Sequence, residues 1–335
     1  MVIRRLGAKN AVLLGAVVIF GLLPLTLRGN ARILNILSVF MIWAVVASAW
    51  DLSMGYAKVW SFGHIAFFAI GGYTAAMTVS HLGMPPEAAI PLGGVVAAVI
   101  GILIAVPCLR LAGVYIAMVT FGVHLILPTL ILWQSKYTGG DPGLFGFAPA
   151  KVGRFVFSSS MPGFSYYVIY GTSLLFLYLI FRIIKSPVGL AFVGLRDSEA
   201  YAKSLGVDDY KYRLVVFGIS AFIAGFMGGL YTSFYGTISP RTLEISTFLF
   251  VLIMLMLGGL GRFPGAVMGA FVITVLAEVL RPLFYLRFVV LGAIVVTVMV
   301  AMPQGLVGIF DAVGPYAGRA FRTIVPYVRR VRRRR

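Results

Sequence analysis

Long apolar runs leave this chain few ways to fold. Stretches near 11–27, 33–50, 61–81, 88–107, 113–134, 165–184, 213–235, 246–260, 264–281 and 286–302 are built largely of Ala, Val, Ile, Leu, Met and Phe, and they occupy most of its 335 residues. A run of about 20 such residues crosses the hydrocarbon core of a bilayer as a helix. Inside that core, backbone N–H and C=O groups find partners only in helices or closed barrels. Runs of this length are too long for barrel strands of about 10 residues. The expectation is an all-α polytopic membrane helix bundle of about ten spans. Charged residues make up only 11% of the chain, against roughly 25% in soluble domains. That excludes a soluble enzyme. The least regular run is Ser61 to Ser80, which holds Gly63, His64, Gly71 and Gly72. The expectation there is a broken or re-entrant helix.

The formal charge of +18 is unevenly spread. Eight arginines lie between Arg319 and Arg335, in a tail ending RRVRRRR. The sequence divides into a transmembrane domain over 1–318 and a basic tail over 319–335, read as an anchor against anionic lipid at the cytoplasmic surface. Nucleic-acid binding is the weaker alternative. If the N-terminus is cytoplasmic and spans alternate, 20 basic residues fall inside and 8 outside, so the positive-inside rule puts both termini in the cytoplasm. Arg4, Arg5 and Lys9 before the first run resemble a secretory signal, but the following Thr26-Leu27-Arg28 is a poor cleavage site, so the run reads as a first span.

One stretch stands apart. Residues 186–212, SPVGLAFVGLRDSEAYAKSLGVDDYKY, are polar and carry helix punctuation. Pro187 suits a first turn, Asp197 or Ser198 an N-cap, and Gly206 a helix end. On a single helix, Phe192, Leu195, Glu199 and Ala202 share one stripe. Alternatively a second short helix starts at Asp197 and ends at Gly206, with Asp197 and Glu199 near its positive end and Lys203 near its negative end. Either way the result is a small cytoplasmic knob with a carboxylate among apolar groups, and it reads either as a docking element or as an amphipathic connector lying on headgroups.

Catalytic and metal chemistry is sparse. His64, His81 and His124 lie on separate segments without Cys partners or HExxH spacing, and no GxSxG occurs. Cys108, the only cysteine, reads as a small core residue. GGLGRFPG at 258–265 lacks the Lys-Ser/Thr ending of a phosphate loop; it is either a close-packing device or a hinge on a solute path. Asp51 is expected to pair near Lys58, Glu278 with Arg281, and Glu244 with Arg241. No span holds a lone central carboxylate or a carboxylate series suited to a proton relay, which weighs against an ion-coupled secondary carrier. The loop 135–164, with YTGGDPGLFGF, reads as a packed surface loop, the alternative being a lid.

The segments GYAKVWSFGHIAFFAIGGYTAA (55–76), LRLAGVYIAMVTFG (109–122), YTGGDPG (137–143), SPVGLAFVGLRDSEAYAKSLGV (186–207), ISAFIAGFMGGLYTSFYGTISP (219–240) and LGGLGRFPGAVMGA (257–270) resemble the LivM-type permease family over roughly residues 35 to 305. The resemblance implies the inner-membrane permease subunit of a bacterial ATP-binding-cassette importer for branched-chain or similar small amino acids. It implies a second, LivH-like permease, two ATPases that bind ATP and Mg, an extracytoplasmic solute-binding protein, and no cofactor or catalytic residue in this chain. Urea, short amides or another small organic solute is the alternative cargo. By the same resemblance, Arg196, Asp197, Glu199, Ala200, Lys203 and Gly206 form the core of the ATPase-coupling region. Ser61, His64, Phe67, Gly71, Gly72, Tyr73, Thr120, Gly258, Gly259 and Gly261 are the candidate solute path. Three features depart from the family pattern: Leu205 stands where importers place glycine, with Gly206 following; Lys58 and Trp60 replace small apolar residues; and the arginine tail is an extension.

Overall fold

The computed structural model describes residues 15, 18–26, 30–111, 113–147, 149–152, 155–283, 286–301, 305, 306 and 308. The basic tail and the N-terminal Arg4, Arg5 and Lys9 lie outside the described residues. Among the described residues the apolar runs are helices. These are α1 (Ala31–Asp51), continued by a π-turn at Leu52–Tyr56, α2 (His64–Leu82), α3 (Pro86–Cys108), α4 (Val114–Trp133), α5 (Pro162–Lys185), α6 (Pro187–Asp197), α7 (Glu199–Ser204), α8 (Asp209–Tyr235), α9 (Ile245–Gly258), α10 (Gly265–Val279) and α11 (Leu286–Ala301). Six of the helical segments are long and apolar enough to cross a bilayer.

The first of these six, Ala31–Tyr56, is the pillar. Every residue from Phe40 to Ala57 is buried, as expected of a helix that is apolar on all sides. It packs against α5, α8 and the α9–α10 pair. Hydroxyls inside the bundle return to their own helix: Ser38 to the Leu34 carbonyl, Ser48 to Ala44, Thr74 to Ile70 and Ser220 to Phe217. This satisfies polar groups where water is absent.

The second core is the crossing of α2, α3 and α8, built on small residues. A Cβ on Gly71 would fall on the Gly225 backbone, one on Gly93 on the Gly71 carbonyl, and one on Gly228 on the Phe68 carbonyl. Without a hydrophobic drive between helices in lipid, close backbone approach supplies the packing energy. This corrects the expectation for Ser61 to Ser80. The helix is continuous from His64 to Leu82, and Gly71 and Gly72 serve packing rather than a break. The irregular backbone lies just before it, at 57–63.

A second correction concerns the expected spans at 246–260 and 264–281. α9 and α10 have 14 and 15 residues, which at 1.5 Å per residue is roughly 21–23 Å, short of a hydrocarbon core of about 30 Å. They form an antiparallel pair in which Gly269 sits on the Met254 carbonyl and Gly258 on Gly265.

The two ends of the bundle differ. One gathers 51–58, the end of α3, the elbow 186–212 and the loop 259–263: Tyr210 donates to the Val106 carbonyl, and Arg196 to that of Gly55. At the other, β1 (Leu144–Phe145) pairs antiparallel with Thr237–Ile238, with Leu144 opposite Ile238. The 135–164 loop is thereby pinned to the turn after α8, with Phe147 buried and Phe145 exposed. Glu278 at this end binds Arg32 from the start of α1 as well as Arg281 (3.5 Å), a partner 246 residues away that local spacing did not reveal. Glu244 accepts from the Ser246 hydroxyl at 3.2 Å, and no ion pair to Arg241 forms among the described residues.

The helix crossing makes a direct prediction. Gly228→Ala drives a methyl into the Phe68 carbonyl and is expected to cost about 1–3 kcal/mol, whereas Gly171→Ala on α5, with open space around it, is expected to be neutral or slightly stabilising by up to ~1 kcal/mol. Thermal unfolding of the two purified variants in detergent, compared with the parent chain, reads the difference.

Candidate functional site

Two places in the fold hold the sequence-derived candidates. The first is the elbow. The chain turns sharply out of α5 because Gly189 packs where any Cβ would strike the Ile183 and Ile184 carbonyls. Ser186 caps α6 through Gly189 N–H (3.3 Å) and donates to the Ile183 carbonyl (2.7 Å). Ser198 then caps α7, accepting from Tyr201 N–H, and Gly206 follows with φ of +84°. Two short helices therefore replace the single stripe. Phe192, Leu195 and Ala202 are buried, but Glu199 is not: its side chain is 45% exposed. Its neighbours are cations rather than apolar groups, which corrects the carboxylate-among-apolar reading. Asp197 closes α6, and the cap of α7 is Ser198.

Phe192 roots the elbow in the body of the protein, edge-on to Tyr212 at 6.3 Å and in one cluster with Leu52, Tyr56 and Phe217. Charge fixes its outer half. Lys203 Nζ donates to Glu199 at 2.6 Å and reaches Asp209 at 3.2 Å, while Arg213 donates to the other Glu199 oxygen at 2.8 Å. The Lys203 hydrogen bond, with help from Arg213, holds the Glu199 carboxyl below the usual carboxylate range, and Glu199 with Asp209 raises Lys203. A carboxylate with a lowered pKa contributes its stabilisation above the ordinary value and loses it as pH falls through the lowered one. A raised lysine contributes below its ordinary value and loses it as pH rises through the raised one. The elbow is thus fully paired between these limits. Around this network Leu190, Tyr201 and Leu205 stand 69%, 67% and 67% exposed. Ala200, Lys203 and Gly206 are exposed beside them. Sequence reading passed over Tyr201 and took Leu205 only as a misplaced glycine; an apolar residue on the outer side of a capped, charged knob was the available signal.

Arg196 ties the elbow to the rest of the chain. Its Nε donates to Asp197 (2.9 Å) and its Nη1 to the Gly55 carbonyl (3.3 Å). The π-turn that carries Gly55 is clamped by the loop 259–263: Gly261 N–H donates to Asp51 Oδ1 at 2.8 Å and Phe263 N–H to the Tyr56 hydroxyl at 2.8 Å. Asp51 is 3% exposed, so its partner is a backbone amide 210 residues away and not Lys58. Gly55 has no room for a Cβ between Asp51 and Gly261.

The second place lies deeper. After the π-turn the chain folds back: Val59 N–H bonds the Ser53 carbonyl, Trp50 Nε1 donates to the Ser61 carbonyl (2.6 Å) and Phe62 N–H to Thr120 Oγ1 (2.9 Å). His64 stacks on Trp50 with centroids 5.3 Å apart, 3.3 Å from the Ser53 hydroxyl. Ser61, His64 and Thr120 therefore meet at one site, with Phe67 edge-on to His64 at 5.8 Å. Gly71, Gly72 and Tyr73 lie further along α2, the two glycines in the crossing with α8. Gly258, Gly259 and Gly261 belong to the loop end. All three α2 residues, with Ser61, His64, Phe67 and Thr120, are buried within the chain. Beside the meeting point sits His124, fully buried, stacked on Phe121 (5.9 Å) and tilted against Phe248 (5.4 Å). Among the described residues no group of three or more His, Cys, Asp or Glu side chains is placed to hold a metal.

The profile of the family described as branched-chain amino acid transport system / permease component matches residues 32–302. The chain is 31% identical over 293 residues to the high-affinity branched-chain amino acid transport system permease protein LivM of Escherichia coli K12, covering 81% of this chain and 69% of that one. The Salmonella typhimurium LivM matches equally, at 31% over the same shares. A probable branched-chain amino acid transport permease LivH of Methanocaldococcus jannaschii is 26% identical over 285 residues, 79% of this chain and 89% of that one. No solved structure matches.

The contacts rank the charged residues by their share in stability. Asp51→Ala strands the Gly261 amide in a buried place and is expected to cost about 1–3 kcal/mol. Glu199→Ala removes exposed pairs and is expected to cost less than about 1 kcal/mol. Unfolding by SDS titration from mixed micelles distinguishes the two; equal losses would contradict this ranking.

Proposed function

Because the chain belongs to the family of branched-chain amino acid transport permeases, we propose that its elbow is where a separate ATPase drives it. The protein is a multi-pass membrane permease of an ABC importer. In the proposed assembly it stands beside a second, LivH-like permease, two ATPases that bind ATP and Mg on the cytoplasmic side, and an extracytoplasmic solute-binding protein. Hydrolysis then belongs to another polypeptide, and this chain contributes no covalent step. The end carrying residues 186–212 and the loop 259–263 faces the cytoplasm, and the 319–335 tail lies against anionic headgroups there. The cargo is a branched-chain amino acid, the solute class for which its LivM relatives are named.

The observation that carries this reading is the elbow itself. Tyr201 on α7, Leu205 one turn on at its C-cap, and Leu190 on α6 are exposed apolar side chains on the same elbow as the charged Asp197, Glu199 and Lys203. An apolar centre with a charged rim is the make-up of a protein-binding patch. Its rigid root, Phe192 below and Arg196 at the side, suits the passage of force: closure of the ATPases would displace the elbow, and Arg196 would pull on the π-turn at the end of α1. The spans would then rock between inward- and outward-facing states.

The test is a reconstituted complex with its binding protein. Leu205→Glu, which alters only an exposed side chain, is expected to leave this chain folded and to abolish recovery of the ATPase with it. Glu199→Lys, which sets a cation against Lys203 and Arg213, is expected to lose solute-stimulated ATP hydrolysis. Undiminished stimulation in both variants, with normal assembly, would remove the docking role from the elbow.

A further inference from the structure

His124 is the one histidine of α4, which holds no Asp, Glu, Lys or Arg, and it lies midway along that span. Its ring is fully buried, yet among the described residues neither Nδ1 nor Nε2 has a hydrogen-bond partner. The surrounding surfaces are aromatic: Phe121 and Phe248 contact the imidazole, Phe62 stands 5.6 Å from Phe248, and Trp50 closes the other side of Phe248 at 5.5 Å. Three separate pieces of chain meet here: α4, the short helix α9, and the non-helical segment 57–63. Trp50, six residues before the end of the π-turn, holds that segment through the Ser61 carbonyl. Non-helical backbone at membrane depth, a helix too short to span, and an unpartnered ionisable group at mid-span are each a mark of a solute path, and here they coincide.

We propose that His124 is the polar contact for the solute at mid-membrane, in a constriction walled by Phe62, Phe121 and Phe248. The inference rests on the import function proposed above and specifies its contact. An uncharged imidazole offers one N–H donor and one lone pair. A zwitterionic amino acid brings the matching groups, a carboxylate to accept and an ammonium to donate. The phenyl faces suit an aliphatic side chain and attract the ammonium through their quadrupoles. The chemistry therefore selects small amino acids with apolar side chains. Thr120, one turn before His124, is already engaged, accepting from Phe62 N–H and donating to its own helix, whereas both nitrogens of the His124 imidazole are without a partner among the described residues.

The whole importer, reconstituted in proteoliposomes with its binding protein, reads the proposal through uptake of labelled leucine. His124→Phe keeps an aromatic ring of similar size and removes both nitrogens. It is expected to lower uptake by about tenfold or more, the effect of losing a hydrogen bond to a charged group, with assembly unchanged. His124→Gln keeps a donor and an acceptor and is expected to stay within about threefold of the parent. If His124 only fills space, His124→Phe will transport as the parent does, and the proposal fails. Should that variant not assemble, His124→Met, flexible and apolar, carries the same comparison. A parent complex that does not move leucine overturns the substrate reading, and the His124 assignment with it; a parent that moves leucine alongside an equally active His124→Phe overturns the His124 assignment alone.

Discussion

Water is missing from the interior of a bilayer, and most of this fold follows from that. Each N–H and C=O must find a partner inside the chain, so the runs become helices. The hydroxyls of Ser38, Ser48, Thr74 and Ser220 turn back on their own carbonyls. Helices gain little by hiding apolar surface from lipid that is equally apolar, so contact comes from close approach at small residues, as where α2, α3 and α8 cross at Gly71, Gly93, Gly225 and Gly228. Departures from this regime include the 57–63 segment, the 259–263 loop and the bare imidazole of His124.

The long helices were legible because hydropathy is a property of the residues themselves. Pro187, Ser198 and Gly206 were legible because capping is local. What failed to show in the sequence depends on residues far apart along the chain. Asp51 looked like a neighbour of Lys58, but its partner amide belongs to Gly261. Glu199 looked as if it shared a stripe with Phe192, because one helix was as consistent with the spacing as two; the extended backbone of Ser198 rotates α7 and swings the carboxylate toward Lys203 and Arg213. Glycines at 71 and 72 signalled irregularity correctly in kind but not in place: glycine marks close approach as readily as a break, and only the neighbouring helix decides. His124 was weighed for metal binding alone. Its position in the middle of an apolar run was itself a signal, while its emptiness of partners is visible only once Phe121, Phe248 and Phe62 are assembled around it.

The candidates for coupling and for the path are separate clusters, yet they share one helix. Asp51 and Trp50 are consecutive. Asp51 receives Gly261 from the cytoplasmic-side loop of the proposed orientation, and one turn on Gly55 receives Arg196 from the elbow. Trp50 holds the Ser61 carbonyl, stacks on His64 and abuts Phe248. The backbone between the two clusters is a fully buried helix end, so it has no slack to absorb a displacement.

This arrangement bears on how a short elbow can move a wide bundle. A π-turn is the weak point of a helix, since its hydrogen bonds are longer in register and less favourable than those of the α form. Leu52–Tyr56 adopts that form where Arg196, Gly261 and Phe263 converge on it. In the proposed cycle the elbow need not tilt any span directly. It has only to change the hold on this turn, and Trp50 would carry the change to the ring of Phe248 and the carbonyl of Ser61, the same groups that close around His124. The lightly covered α4, most of whose apolar surface faces away from the chain's own core, is then the element free to part from them.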